Sequence, residues 1–398
     1  MTKEITLKLK NKFLNKYKKG YPLLWKEAIS NVEVLKEEGT LLRLTDEYDR
    51  FLGKGYYGRQ NKGYGWILTQ NENESIDQKF FDNKISTAFN KRRSFFQDDE
   101  TTAFRLFNGE GDGIGGLTID NYDGYYVITW YSLGIFTFKD FILRSLQKVS
   151  TFRGIYQKKR FNTAGKYVED DDFVTGERGE FPITVKENGV NVAVHLNEGP
   201  MTGIFLDQRN VRQAIRDQYA KGRRVLNTFS YTGAFSVFAA LGGAENTTSV
   251  DLANRSLPKT REQFSVNNID YEAHKIKVMD VFKYFNYAYK KGLTFDMVIL
   301  DPPSFARSKK RTFSAAKDYK DLVKKAVQLT EDDGIIVAST NHSGFGMDKF
   351  KSFIKQAFKE AGKKYKLLEE HDLPKDFPSI EEYPEGNYLK VVFIKKFS

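Results

Sequence analysis

The sequence predicts an α/β chain: a mostly parallel sheet with helices on both faces in its second half, preceded by a small β-barrel module and a central α+β unit. Three observations carry this. From residue 220 strand-like and helix-like runs alternate, which implies right-handed crossovers and a parallel sheet. Before that, Asp123-Gly124 and Asn188-Gly189 sit between apolar runs, a hairpin signal. The first 72 residues hold only short β-prone runs punctuated by glycine.

Taken in order, "GTLLRLTD", "RFLGKGYYG" and "GYGWILTQ" are the strands of the first module, and the polar "NENESIDQ" (71–78) reads as a linker. "DQKFFDNKISTAFNKRRSFF" then spaces its apolar residues as a helix does. Residues 102–195 read as antiparallel strands around one helix, "FTFKDFILRSLQKV". In the last part "RRVLNTFS", "TTSVDLA", "KIKVMD", "TFDMVILDPP" and "DGIIVAST" are strands, each followed by a helix-like run, the last of them "DKFKSFIKQAFKEAG".

Composition narrows the function. At 398 residues the chain exceeds one ordinary domain. No uninterrupted apolar run reaches membrane-spanning length, and the N-terminus is too rich in lysine for a signal peptide, so a cytoplasmic protein without membrane association is expected. There is no cysteine, which excludes disulfides, thiolate metal sites and a thiol nucleophile. Four scattered histidines (195, 274, 342, 371) argue against zinc, and no metal is expected. The net charge of +11 points to an anionic partner. Residues 1–30 carry eight lysines against two glutamates, net +6, with Lys16, Lys18 and Lys19 as candidate phosphate contacts. Tyr17, Tyr21, Trp25, Tyr56 and Tyr57 interleave with them as candidate base-stacking rings, some of which must also serve the core.

Gly111, Gly113 and Gly116 fit G-x-G-x-x-G, the dinucleotide fingerprint. That fingerprint needs a helix directly after the glycines, whereas a β-like "LTID" follows, so a structural loop is expected.

The unusual residues cluster at strand ends, where ligands of such sheets bind. The first strand runs into "NTFSYTGAFS", with Gly233 opening a helix; the next three end at Asp251, Asp280 and Asp301. One such acid is commonly a helix cap. Three on successive strands converge on one crevice and suit a nucleoside, the second-strand acid accepting ribose hydroxyls and the third-strand acid an adenine amine. No P-loop accompanies them, which points to S-adenosylmethionine.

"LNTFSYTGAFS", "GIFLDQR" (203–209) and "LDPPSFARSKK", with "EGDGIGGLTID" (110–120) and "PEGNYLK" (384–390), resemble the ribosomal-RNA large-subunit methyltransferases that carry an N-terminal PUA-like domain. The resemblance spans essentially the whole chain. It implies a PUA-like RNA-binding domain (1–72), a central α+β domain (73–194) and a Rossmann-like class I methyltransferase domain (195–398). It also implies 23S ribosomal RNA as partner and allows a homodimer. Cofactor contacts are implied for Asp207, Gln208, the loop Phe229, Ser230, Tyr231, Thr232 and Gly233, and for Asp251, Asp280 and Asp301.

In Asp301-Pro302-Pro303-Ser304-Phe305 two prolines end the strand in a stiff turn. These residues are the catalytic candidates: the turn fixes acceptors and an aromatic face beside the methyl donor, Phe305 as a platform for an extruded base, with Lys309, Lys310 and Arg311 on nearby phosphates. Relatives that make 5-methylcytosine need a cysteine thiolate in the loop after the fifth strand. This chain reads "ASTNHSGFG" there, with Thr340 or Asn341 in that region. An alcohol is a far poorer nucleophile. Guanine N7 needs no covalent help and is the expected target. The alternatives are an exocyclic amine, 5-methylcytosine, or an inactive RNA-binding homologue. Phe377 stands in "PKDFP" where the family often has histidine, and His342 reads as a surface-loop residue.

Overall fold

The computed structural model describes residues 4–60, 63–161, 172–307 and 312–398. Its contacts divide into two compact units: residues 1–185, 195–202 and 375–386 form one, and residues 186–194, 203–374 and 387–398 the other.

The first unit begins with β1 (Glu4–Lys8), the short α1 (Leu14–Lys18), β2 (Leu23–Trp25), β3 (Leu41–Thr45), β4 (Phe51–Gln60) and β5 (Gly63–Thr69). The sheet order is β1-β3-β4-β5-β2. Its two margins are joined by Lys10 N–H to Ala28 C=O (2.9 Å) and Ser30 N–H to Lys8 C=O (2.8 Å), which close the sheet as a barrel does. Tyr17, Tyr21, Tyr56 and Tyr57 are buried. Tyr17 donates to Leu23 C=O and accepts from Trp25 N–H, and Tyr56 donates to Gly115 C=O. These four tyrosines are therefore core residues and present no face to a base, contrary to the stacking expectation; a ring whose hydroxyl finds an internal partner is stable inside.

Within residues 71–77 most side chains are exposed, while Ile76 is buried and Asp77 accepts Phe80 N–H to cap α2 (Gln78–Lys91). There follow β6 (Ala103–Asn108), β7 (Leu117–Tyr122), β8 (Tyr125–Trp130), α3 (Leu133–Phe136), α4 (Lys139–Val149), β9 (Gly154–Lys159) and β10 (Phe173–Gly176), in the order β10-β9-β8-β7-β6. Asp123 (φ 52°) and Gly124 (φ 82°) turn the β7–β8 hairpin with both central residues left-handed. β8 and β9 run parallel, a departure from the antiparallel reading, because two helices between them supply a crossover. β11 (Ile183–Glu187) and β12 (Val190–Val194) form the second hairpin, turned at Asn188 (φ 48°) and Gly189 (φ 79°).

One core runs across residue 72, joining Tyr56, Trp66 and Leu68 to Phe81, Phe107, Ile114 and Ile128. The glycine loop serves it. A Cβ on Gly115 would lie 2.1 Å from the Trp66 ring, and one on Gly111 would lie 1.9 Å from the Pro378 carbonyl oxygen. β7 follows the loop directly, so it is a packing device. Beside it Arg92, 1% exposed, forms a two-pronged pair with Asp112 (2.9 and 2.6 Å) and donates to Asp376 C=O (2.8 Å). The Phe377 ring next to Asp376 lies beneath the Arg105 guanidinium, a structural use of the position where histidine is common.

In the second unit α5 (Arg209–Ala214) precedes β13 (Arg224–Thr228), α6 (Ala234–Leu241), β14 (Asn246–Asp251), α7 (Ser256–Ser265), β15 (Lys275–Val278), α8 (Val281–Lys290) and β16 (Phe295–Leu300). A short hairpin of β17 (Phe305–Arg307) and β18 (Thr312–Ser314) leads to α9 (Ala315–Leu329), β19 (Thr330–Thr340), α10 (Met347–Ala361), β20 (Lys364–His371) and β21 (Lys390–Phe397). The seven-stranded order is β15-β14-β13-β16-β19-β21-β20. The first five strands are parallel, and β21 is antiparallel to both its neighbours. Among the described residues no helix is long and apolar enough to cross a membrane.

Breaking a buried ion pair strands a charge, at a cost of about 3–5 kcal/mol. Arg92→Met should lower the unfolding free energy by about that much in urea titration.

Candidate active site

The loop after β13 is held in an unusual conformation. Phe229 (φ 56°), Tyr231 (φ 51°) and Gly233 (φ 80°) are all left-handed, and such strain persists only where the surroundings impose it. The restraints are visible. Ser230 N–H donates to Val250 C=O, Tyr231 N–H to Asp251 Oδ2 (2.9 Å), and the buried Thr232 hydroxyl to Gly203 C=O (2.7 Å). Gly233 has a packing reason beyond the ligand approach expected: a Cβ there would lie 2.5 Å from Thr260 Cγ2 of α7.

Asp251 also accepts Ala253 N–H through Oδ1 (2.9 Å), so each carboxylate oxygen keeps a lone pair after one backbone bond. Asp280 stands two residues past β15 and its Oδ1 accepts Lys283 N–H (3.0 Å), capping α8. The alternative use foreseen for a strand-end acid is thus present at that position.

The third acid, Asp301, sits in a tighter setting. Gln208 Nε2 donates to Asp301 Oδ1 (3.0 Å) and to Ser339 Oγ (2.8 Å), and Ser339 Oγ donates to the same Asp301 oxygen (2.8 Å). Burial pushes the Asp301 carboxyl up to about 6, against the lowering effect of the Ser339 hydrogen bond; the nearby Asp207 charge adds to the rise. Gln208 is 4% exposed and its Oε1 is buried with no partner among the described residues. Asp207 accepts the Tyr388 hydroxyl (2.8 Å). Arg212 of α5 pairs with buried Glu187 (2.6 and 2.7 Å) and donates to Phe205 C=O, fixing the segment that carries Asp207 and Gln208. Phe205 and Tyr231 meet with ring centroids 5.4 Å apart.

Pro302 is buried and Pro303 exposed, and beyond them Phe305 is 62% exposed. Ser304 donates to Asn341 Oδ1 (2.6 Å). Thr340 is wholly buried, and its hydroxyl accepts His342 N–H (3.3 Å). His342 Nδ1 accepts Gly344 N–H and its ring stacks on Phe345. Lys309, Lys310 and Arg311 lie outside the described residues. In the first unit Lys18 and Lys19 are exposed, whereas the Lys16 ammonium lies 3.4 Å from the Tyr21 ring centroid and 3.6 Å from that of Trp25.

A cationic, diol-bearing nucleoside fits this set. Gln208 Oε1 and the carboxylate of Asp301 suit a cationic end, and the spare lone pairs of Asp251 suit hydroxyls.

Residues 105–393 match the S-adenosylmethionine-dependent methyltransferase family and residues 7–70 the PUA-like domain. A Bacillus subtilis protein provisionally named ribosomal RNA large subunit methyltransferase YwbD is 64% identical over 392 residues, covering 98% of this chain and 99% of its own. This chain belongs to the ribosomal RNA large-subunit methyltransferases with a PUA-like domain. Another relative in that family, ribosomal RNA large subunit methyltransferase I of Alteromonas mediterranea, is 33% identical over 376 residues, 94% of each chain. The crystal structure of SMU.776, described provisionally as a methyltransferase and complexed with SAH, matches with a TM-score of 0.89 at 38% identity, covering 99% of this chain and 100% of that one. The methyltransferase identified here uses S-adenosylmethionine as its cofactor, and its fold is the class I methyltransferase fold with an N-terminal PUA-like domain.

The residues that sequence reading missed are the supports: Ser339, Tyr388, Arg212 and Phe205. Phe205 and Tyr388 lie within "GIFLDQR" and "PEGNYLK", whereas a lone serine on an apolar strand gives no signal.

The Asp301 carboxyl makes a pH prediction. An unfolded aspartate titrates near 3.9. Between that value and about 6 the folded protein binds the extra proton, so stability falls as pH rises and is flat above. Asp301→Asn removes this loss. Relative to wild type the cofactor-free variant should gain on the order of 2–3 kcal/mol between pH 4 and pH 7, measured by urea unfolding at each pH.

Proposed function

We propose that this enzyme methylates N7 of a guanine in 23S ribosomal RNA, with residues 1–72 capturing RNA, residues 73–194 serving as scaffold and residues 195–398 carrying the chemistry. The observation that carries the product assignment is Thr340, in the stretch where relatives that make 5-methylcytosine hold their cysteine. Its side chain is buried and its hydroxyl already accepts a backbone N–H. With no cysteine in the chain, no thiolate can add to a pyrimidine ring. Guanine N7 offers an in-plane lone pair and no proton to remove, so orientation is sufficient.

S-adenosylmethionine supplies a methyl group on a sulfonium, which departs as a neutral thioether when N7 forms the new bond. The chain's contribution is placement. Asp251, Asp280 and the strained loop Phe229–Gly233 hold the nucleoside part; Asp207, Gln208 and Asp301 hold the cationic end. Buried Pro302 and exposed Pro303 stiffen the turn, and Phe305 presents an exposed ring on which a base can stack. An exocyclic-amine product would need a proton acceptor for the amine, and His342, two residues past β19, has Nδ1 engaged by Gly344.

Borohydride reduction and aniline cleavage of RNA treated with the enzyme should cut at one guanosine. Phe305→Ala should reduce turnover by roughly 10- to 100-fold, the range expected for one lost stacking contact of 1–3 kcal/mol, with SAH affinity retained. Thr340→Ala should keep activity. Loss of activity in Thr340→Ala, with 5-methylcytosine found in place of cleavage, would overturn the assignment.

RNA capture by the first module is tested by substitution, because the shared core makes deletion of residues 1–72 destructive. Changing Lys16, Lys18 and Lys19 together to Gln should reduce the slope of log K against log salt by about 2 and leave SAH binding unaltered. Lys16 stands on the Tyr21 and Trp25 rings, so its share should be the smallest of the three.

A further inference from the structure

Asn341 is exposed at the carboxyl end of β19, one residue past Thr340. Its Oδ1 accepts the Ser304 hydroxyl at 2.6 Å, a bond between segments thirty-seven residues apart in sequence. Ser304 is itself fixed, since its carbonyl accepts Ala315 N–H (3.0 Å) at the start of α9. Among the described residues no other side-chain hydrogen bond reaches Asn341. With its oxygen engaged, the amide of this exposed residue keeps its NH2 group as a donor. The next residue after Ser304 is the exposed ring of Phe305. A stacking face and an amide donor therefore stand in the segments that follow two adjacent parallel strands, β16 and β19, and are tied together by the Ser304–Asn341 bond.

We propose that Asn341 is the specificity-determining residue of this enzyme, its Nδ2 donating to O6 of the target guanine while Ser304 sets the orientation of the amide. This rests on the N7 reading above. On its major-groove edge guanine presents two adjacent acceptors, N7 and O6, whereas adenine presents N7 beside a donor amine. A donor to O6 leaves the N7 lone pair free and holds the base by the atom next to it. Adenine would bring its amine against the Asn341 amine, two donors facing with no acceptor between them. Asn341 thus selects guanine by the same contact that aligns it, and Ser304 is a positioning residue acting through it.

The test uses the full-length enzyme, its cofactor and a synthetic RNA carrying the mapped guanosine. The product is first identified on the wild type by aniline cleavage, so that failure of the N7 reading is seen there and separately. Asn341→Asp retains the oxygen for Ser304 but replaces the donor by an acceptor, and Asn341→Ala removes both. Each should lower kcat/KM by roughly 10- to 100-fold, the range for a lost base-reading contact, with SAH affinity within twofold of wild type. Replacing the target guanosine by 2-aminopurine riboside, which lacks O6, should cost the wild type a similar factor and cost Asn341→Ala little more, because the two changes remove one interaction. If 7-methylguanosine forms on the wild type but the Asn341 variants keep its kcat/KM, the proposal is overturned. It is overturned equally if 2-aminopurine costs Asn341→Ala as much as it costs the wild type.

Discussion

Holding the Asp301 carboxylate away from water between Gln208 and Ser339 costs solvation that two neutral donors offset only in part, and most of the crevice is arranged around that imbalance. Gln208 must be presented by a short turn, which Arg212 fixes by pairing with Glu187 and bonding the Phe205 carbonyl. Ser339 must lie on the strand beside β16, which the parallel register of β16 and β19 provides. A cation brought to this carboxylate would repay the lost solvation, which is what the placement of the cofactor's cationic end proposed above requires.

The same logic of opposed demands shapes the loop Phe229–Gly233. Two non-glycine residues adopt left-handed backbone there, each at a cost of order 1–3 kcal/mol. The bond from Tyr231 N–H to Asp251 and that from the Thr232 hydroxyl to Gly203 tie the strained loop to the neighbouring strand and to the Gly203 segment. A backbone held this way is rigid, which suits the cofactor contact proposed for it because little ordering would be left to the binding step. The first unit shows a purely structural counterpart: Arg92 is committed to Asp112 and the Asp376 carbonyl, leaving nothing for substrate.

Local chemistry made much of this legible. Asp123-Gly124 and Asn188-Gly189 turned out as paired left-handed turns because that dipeptide tolerates positive φ where most do not. The strand–helix alternation of the second unit gave its parallel order as far as β19. The last two strands escape that alternation: "KYKLLEEH" lies at the sheet margin and alternates only weakly in burial, and β21, though apolar and buried, is antiparallel with no α-helix between it and β20. Tyrosines near lysines looked like an RNA-facing surface, but whether a ring faces in or out is decided by tertiary packing. Asp280 shows the limit at the site: a cap and a ligand contact call for the same residue at the same place. Ser339 and Asn341 matter through partners far along the chain, 38 and 37 residues away, which no local pattern reveals.

The path of residues 375–398 has a consequence for truncation. β21 is not a margin strand but lies between β19 and β20, and residues 375–386 belong to the first unit. This one stretch therefore contributes to both units. Its removal would open the second unit's sheet between β19 and β20, and would take from the first unit the Asp376 and Pro378 carbonyls to which Arg92 and Asn108 donate. A cut made there damages both units at once, rather than leaving one of them whole.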